Sequence, residues 1–320
     1  MQILITGAAG FIGYSLSLYL LKKKIKIFGI DNLNNYYSQK LKKDRLKELK
    51  KYKNFTFNKI DITKRDKLNS LFASKKFDMI INLAAQAGVR YSLLKPSEFV
   101  DNNILGFYNI INLAKENKIK KIFYASSSSV YGDSKKFPLK ENYKINPKNI
   151  YALSKKNNEE MAAIFSQLYK IKMVGLRFFT VFGEWGRPDM FMMKYLNSSY
   201  DPKKKFYLNN FGNHTRDFTY IDDVCEIVYK LIIKDDKSNI HNIFNVCSNN
   251  PIKLLTIINK INLLTNRKPK MFKRSLQEAD VVKTHGSNKK ILSFIKKKNF
   301  VSVDESLKKT FSWFMGYYKV

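Results

Sequence analysis

Seven residues near the start of the chain constrain its fold more than any other stretch: Gly7-Ala8-Ala9-Gly10-Phe11-Ile12-Gly13. They come after the apolar run Ile3-Leu4-Ile5-Thr6 and open an amphipathic stretch from Phe11 to Leu21. The order is therefore strand, tight turn, helix. Glycines there let backbone approach a ligand closely, and the free N–H groups of the helix N-terminus then face negative charge. Three glycines alone say little; their place between a strand and a helix gives them force.

The same alternation repeats along the next 160 or so residues. Ile25–Ile30, Phe55–Phe57, Met79–Leu83, Lys121–Ala125 and Met173–Arg177 read as further strands. Arg65–Phe72, Val100–Glu116 and Asn149–Tyr169 read as helices. Strands alternating with helices predict a parallel sheet covered on both faces, an α/β fold of the doubly wound Rossmann type. After about residue 178 the rhythm breaks, with prolines at 188, 202, 251 and 269. We expect a cofactor-binding domain over 1–178. Residues 179–320 should form mainly a smaller substrate-binding lobe, with some segments returning to the first domain. Ser302-Val303-Asp304-Glu305 has the capping-box pattern before a last helix.

Composition excludes several classes. Apolar residues make up 44% of the 320, enough for a large core. No apolar run approaches the roughly 18–20 residues that cross a bilayer, so no membrane span is expected. No signal peptide fits before Ile3, and two cysteines, Cys225 and Cys247, suit a reducing cytoplasm. Three histidines at 214, 241 and 285 offer no zinc spacing, so no metal is expected. The net charge of +33 raises nucleic acid as a partner. However, only eight of the 59 cations are arginine, the residue favoured for base reading, and the lysines are scattered. Lys, Asn, Ile, Phe and Tyr are abundant together, as AT-rich coding produces. A solvated lysine surface is the preferred reading, with no specific nucleic-acid partner.

Asp31 ends the second strand, where a carboxylate accepts hydrogen bonds from adenosine ribose hydroxyls and repels a 2′-phosphate. Its neighbour is Asn32 rather than arginine, which favours NAD over NADP. Asp61 and Ile62 are candidates to meet adenine; Leu83, Ala84 and Ala85 are candidates to line the cofactor channel or simply to pack. Asn102 and Phe178 are assigned to the same ligand. Tyr151 and Lys155 stand at i and i+4 on one helix face. An ammonium near a phenol stabilises the phenolate and lets tyrosine act as a base nearer neutral pH. Ser126–Ser129 come directly after the fifth strand, where a serine is placed to hydrogen-bond the reacting hydroxyl beside Tyr151.

Taken together, these stretches resemble the extended short-chain dehydrogenase/reductases that act on nucleotide sugars, over nearly the whole chain. The glycine turn and the Tyr/Lys pair are shared across that superfamily. Ala84–Ser92 and Trp185–Met190, with Gly29–Tyr37, Tyr124–Gly132, Leu176–Gly183 and Arg216–Val224, look most like bacterial UDP-glucuronate 4-epimerases. The resemblance implies a triad of Ser127, Tyr151 and Lys155. It places Ser128 and Ser129 where the 4,6-dehydratases carry Asp-Glu, and where uronate decarboxylases carry a glutamate at the second position. Hydroxyls there can donate to a uronate carboxylate that a second carboxylate would repel. Thr180 falls where galactose-type epimerases have asparagine and offers another hydroxyl. Gln86, Arg90, Arg187 and Arg216 are implied at the sugar or diphosphate. Gln277 and Asp280 fall in a loop that departs from the family pattern at Glu278-Ala279.

The implied activity is NAD-dependent inversion at C4 of a UDP-sugar, foremost UDP-glucuronate to UDP-galacturonate, through a 4-keto intermediate. It implies a homodimer through 100–116 and 149–169, and a place in polysaccharide biosynthesis. Two alternatives remain open from the residues: epimerisation or decarboxylation of another UDP-sugar, and an NAD- or nucleic-acid-binding regulatory protein that kept the fold.

Overall fold

A computed structural model describes residues 1–234, 240–297 and 299–320. The first half runs β1 (Gln2–Thr6), α1 (Phe11–Lys22), β2 (Lys26–Asp31), α2 (Gln39–Leu49), β3 (Phe55–Lys59), α3 (Arg65–Ser74) and β4 (Met79–Asn82). Two short turns come next, α4 (Tyr91–Leu94) and α5 (Pro96–Phe99). Then come α6 (Gly106–Glu116), β5 (Lys121–Ser127), α7 (Ile150–Tyr169) and β6 (Lys172–Phe178). The second half holds β7 (Thr180–Phe182), α8 (Phe191–Tyr200), β8 (Phe206–Asn209), β9 (Thr215–Tyr220), α9 (Ile221–Ile233) and β10 (His241–Val246). It ends with β11 (Pro251–Lys253), α10 (Leu254–Thr265), β12 (Met271–Arg274), α11 (Lys289–Ile295) and α12 (Val303–Tyr318).

Seven parallel strands form the main sheet in the order β3-β2-β1-β4-β5-β6-β10. Both faces are buried, as alternate residues of β1 show. Ile3 and Ile5 pack under α1, α2 and α9; Leu4 packs with Phe107 and Ile110 of α6 and Leu68 and Leu71 of α3. That double burial is why the strands read as continuous apolar runs. The chain reverses direction across the sheet between β1 and β4, so their C-terminal ends open a crevice, the usual ligand position in such sheets. Strands that follow β6 in the chain also form two small sheets, β7-β9-β11 and β8-β12.

Two local features differ from the sequence reading. The helix expected over 100–116 begins as a π-helical turn, Val100–Leu105, before α6 takes over. The wide turn places Asn103 where its side chain binds both backbone groups of Gln86 (2.7 and 3.0 Å) and the Ser154 hydroxyl (2.9 Å). Tertiary hydrogen bonds thus outweigh the regular helical ladder there, as π-turns near ligand sites often reflect. In addition, α2 arises within a lysine-rich stretch whose apolar stripe is thin. Ser38 caps it, accepting from the Leu41 N–H (3.3 Å). At the far end, Ser302 caps α12 by accepting from the Glu305 N–H (3.2 Å).

Candidate active site

Gly7 has φ +71°, a region that only glycine enters freely. A Cβ on Gly13 would lie 2.1 Å from the Gly7 carbonyl oxygen. The turn therefore closes tightly, with Gly10 N–H on that same carbonyl (2.9 Å), and delivers the start of α1 to the crevice. Asp31, buried at the end of β2, braces it: one carboxylate oxygen accepts from Ala9 N–H (3.1 Å), the other from Leu33 N–H (2.8 Å). Burial raises its pKa, and nearby Lys42 and the two backbone donors pull it back. The result is a carboxylate fixed in place beside a glycine cradle.

A cavity of about 280 Å³ runs from this cradle to the first turn of α7. Its wall gathers Gly7, Gly10, Phe11, Ile12, Gly13, Asp31, Asn32, Ile62, Leu83, Ala84, Ala85, Gln86 and Asn102 at one end. Ser127, Tyr151, Lys155, Phe178 and Arg187 stand at the other. Asp61, expected at adenine, is half-buried two residues after β3. It accepts from the Asn32 amide (2.9 Å) and from Thr63, and so orients Asn32.

The chemical end is built by β5 and α7. Asn149 caps α7 (2.9 Å to Ala152 N–H), which fixes Tyr151 in the first turn and Lys155 one turn on. Lys155 is buried; its Nζ donates to the Ala125 carbonyl (2.9 Å), and burial pulls its pKa down to about 8. Burial pushes the Tyr151 phenol up, while the Ser127 hydroxyl and the Arg187 guanidinium beside it lower it. Ser127 also donates to the Ser129 hydroxyl (3.1 Å). Ser128 and Ser129 form the 3₁₀ turn after β5 and are not among the residues that line the cavity.

Under this floor lies an ionic pair that the sequence reading missed. Arg177 of β6 binds Glu159 of α7 through two hydrogen bonds (2.8 and 2.7 Å), both side chains buried. Ser126 donates to Glu159 (2.6 Å), and Arg177 donates to the Tyr131 hydroxyl (2.8 Å), which donates to Asn245 of β10 (2.7 Å). The only sequence signal was spacing: Glu159 continues the Tyr151, Lys155 face at i+4.

The expected substrate residues divide. Arg187 lines the cavity, paired with Asp189 (2.5 Å), which also accepts from Tyr36 (3.1 Å). Thr180 opens β7 and faces a small adjoining pocket with Phe11 and Met190. Arg90, Arg216 and Asp280 form a separate cluster outside the wall. Arg90 grips Asp280 (3.1 and 2.5 Å), whereas Arg216 spends its terminal nitrogens on the carbonyls of Thr215, Val281 and Val282. Burial lowers the Arg216 pKa to about 10. Gln277 turns back onto the Ser275 carbonyl (3.4 Å) and meets neither group. Lys42 also lines the cavity and was not foreseen. Its Nζ binds the Asn34 carbonyl (3.0 Å) and side chain (2.7 Å). Nothing in a chain this rich in lysine marked it as one that folding would bury. Among the described residues, no group of three or more His, Cys, Asp or Glu could hold a metal ion, and no helix is long and apolar enough to cross a membrane.

Comparison with known proteins bears on this arrangement. Residues 3–247 match the NAD dependent epimerase/dehydratase family. An uncharacterized protein of Methanocaldococcus jannaschii is 43% identical over 317 residues, covering 98% of this chain and 96% of its own. A UDP-glucuronate 4-epimerase of Thermodesulfobacterium geofontis is 37% identical, covering 97% and 95%. The crystal structure of a UDP-glucuronic acid 4-epimerase from Bacillus cereus, in complex with UDP-glucuronic acid and NAD, superimposes with a TM-score of 0.92. It is 28% identical and covers 99% of this chain and 100% of that one.

Proposed function

Since the chain belongs to the NAD dependent epimerase/dehydratase family, we propose that it inverts C4 of a UDP-sugar, with UDP-glucuronate and UDP-galacturonate as the pair interconverted. One observation carries the reading: Ser127, Tyr151 and Lys155 meet at one end of a cavity whose other end is the glycine cradle. The cradle fits a dinucleotide. Gly7, Gly10 and Gly13 leave no room for side chains against the turn, α1 offers its N-terminus to a pyrophosphate, and Asp31 offers carboxylate oxygens to a ribose. Asn32, Ile62, Leu83–Ala85, Asn102 and Phe178 are assigned to the same ligand.

When bound, NAD supplies the hydride chemistry, accepting from sugar C4 and returning to the 4-keto sugar. The chain supplies the rest. Tyr151 takes the proton from the 4-hydroxyl and later gives it back, with Ser127 hydrogen-bonding the same oxygen. Lys155, charged and one helical turn away, favours the phenolate against the burial that opposes it. The 4-keto uronate is a β-keto acid prone to lose carbon dioxide. Hydroxyls of Ser128, Ser129 and Thr180 hold its carboxylate away from the cleavage geometry, and no carboxylic acid stands at those three positions to assist. Gln86 and Arg187 meet the sugar side; Arg90, Arg216 and Asp280 meet the nucleotide side.

Residues 1–178 serve the cofactor and 179–320 mainly the substrate. The active form is a cytoplasmic homodimer feeding polysaccharide synthesis. The face that supports dimerisation is apolar and exposed: Leu105 just before α6 and Tyr108 in its first turn, with Leu153, Ile164 and Leu168 of α7.

The test is to incubate purified protein with UDP-glucuronate, without added cofactor, and follow the sugar by proton NMR. Conversion to a stable mixture with UDP-galacturonate is expected, and Tyr151→Phe should lose roughly 10²–10⁴ in rate. A pentose product with carbon dioxide release would remove the role given to the serines. No reaction, even with NAD added, would reassign the substrate. Salt-sensitive RNA binding that competes with NAD would favour a regulatory protein instead.

A further inference from the structure

Arg45 of α2 is fully buried, and its guanidinium reaches two distant parts of the site. One terminal nitrogen donates to the Ala9 carbonyl (2.8 Å) and to the Tyr37 hydroxyl (2.7 Å). The other donates to the Trp185 carbonyl, 140 positions away. These acceptors are neutral, and among the described residues no carboxylate pairs with Arg45, although its charge reaches Asp31. Burying a cation among neutral acceptors is costly, which asks for a role beyond packing.

Ala9 lies in the glycine turn and is held from both sides: Asp31 accepts from its N–H (3.1 Å), and Arg45 donates to its carbonyl. That carbonyl shares a peptide plane with the Gly10 N–H, which is bound to the Gly7 carbonyl (2.9 Å). Arg45 thereby fixes the plane from which α1 starts, and so the direction of the free N–H groups that would meet a pyrophosphate. At the other end, Trp185 has φ +59°, a left-handed conformation that is an outlier for a bulky side chain. Such a residue persists only where its surroundings hold it, and such residues gather at ligand clamps. Its ring packs against Tyr14 of α1 (centroids 5.2 Å apart) and Trp313 of α12 (5.3 Å), and its carbonyl is held by Arg45. Two residues on, the loop delivers Arg187 to the cavity wall. Tyr36 fastens the far end of the same loop through Asp189, the partner of Arg187.

We propose that Arg45 is a positioning residue that sets the substrate loop in register with the cofactor turn, one guanidinium holding the Ala9 and Trp185 carbonyls at once. Arg45 does not line the cavity, so it acts through the α1 N-terminus on one side and through Arg187 on the other. The role needs a fork: a lysine ammonium is a point charge and does not reproduce the guanidinium's span between two carbonyls. The inference rests on the UDP-sugar reading above, and it adds the device that places the sugar relative to the dinucleotide.

The test compares wild type, Arg45→Lys, Arg187→Met and the double variant Arg45→Lys/Arg187→Met. Exchange of bound NAD for isotope-labelled NAD reads the cofactor end; proton NMR of UDP-glucuronate at saturating NAD gives kcat and KM. Arg45→Lys should speed NAD exchange about 10-fold and lower kcat/KM about 10–100-fold, as loss of a hydrogen bond from a charged donor predicts. Its kcat should stay below wild type with both ligands saturating, which weakened binding alone would not produce. In the Arg187→Met background the same change should cost less than about threefold, because residues that act as a unit are not additive. A merely structural role would lower the melting temperature without that coupling. Arg45→Gln, which keeps one donor group, carries the same comparison where the lysine variant does not fold. If folded Arg45→Lys matches wild type within twofold in both readouts, or loses as much with Arg187 as without it, Arg45 does not position the loop. If wild type holds NAD but turns over no UDP-glucuronate, the UDP-sugar reading falls and takes the substrate half of this inference with it; NAD exchange then decides the cofactor half alone.

Discussion

Replacing Arg177 by methionine would leave the Glu159 carboxylate buried with Ser126 as its remaining side-chain partner among the described residues. Both members of the pair are under 5% exposed, and the pair is bidentate at 2.8 and 2.7 Å. Removing one partner of a buried ion pair costs about 3–5 kcal/mol, because the survivor keeps its desolvation penalty without the compensating charge. A chain of this length unfolds with an entropy near ~0.7 kcal/mol per kelvin, so the melting temperature should fall by about 5–7 °C. Differential scanning fluorimetry of wild type, Arg177→Met and the double variant Glu159→Met/Arg177→Met reads this directly. The double variant should recover at least half of the loss, since apolar replacement of both partners removes the stranded charge. Activity should fall beyond what unfolding explains, because Ser126 precedes Ser127 and Glu159 lies one turn beyond Lys155. A drop below about 2 °C, or a double variant as unstable as the single one, would refute the reasoning.

Other outcomes rest on the same geometry. Gly13→Ala puts a Cβ where the Gly7 carbonyl now sits, and overpacking of about 1–3 kcal/mol should weaken NAD by about 10–100-fold, read as lost co-purifying absorbance at 260 nm. Lys155 should lose its proton near pH 8, so kcat/KM should fall above that pH; Lys155→Arg, which keeps its charge, should lack the falling limb. The folded-state pKa of His214 lies below its unfolded value, so the unfolded chain binds the extra proton. Stability supported by the neutral ring is present above about pH 6.5 and is lost as pH falls towards 4, by up to about 3 kcal/mol. Asp217, pushed up to about 6 by burial, works oppositely in that window. The quantity to measure is therefore the stability of wild type minus that of His214→Gln across about pH 4–7 in urea titrations; a flat difference would show that the fold does not hold the ring neutral.

Local pattern alone determined the strand–glycine–helix opening, the alternation up to residue 178, and the Tyr151, Lys155 spacing; Ser127 joined them only through the family resemblance. Each depends on neighbours within a few positions: a turn that admits only glycine, a period that buries both faces of a strand, a spacing that shares one helix face. Separations of many residues were decided only when the chain closed. Asp61 accepts from the Asn32 amide, 29 positions away, because the loops after β2 and β3 run side by side. Arg90 and Asp280, 190 positions apart, find each other across the cleft. Lys42 looks like its many lysine neighbours until α2 carries it against Asn34 and Tyr37. His214 had no motif at all. What singles it out is that its Nε2 finds no hydrogen-bond partner among the described residues, and burial of that kind is a property of the packed molecule that no local pattern encodes.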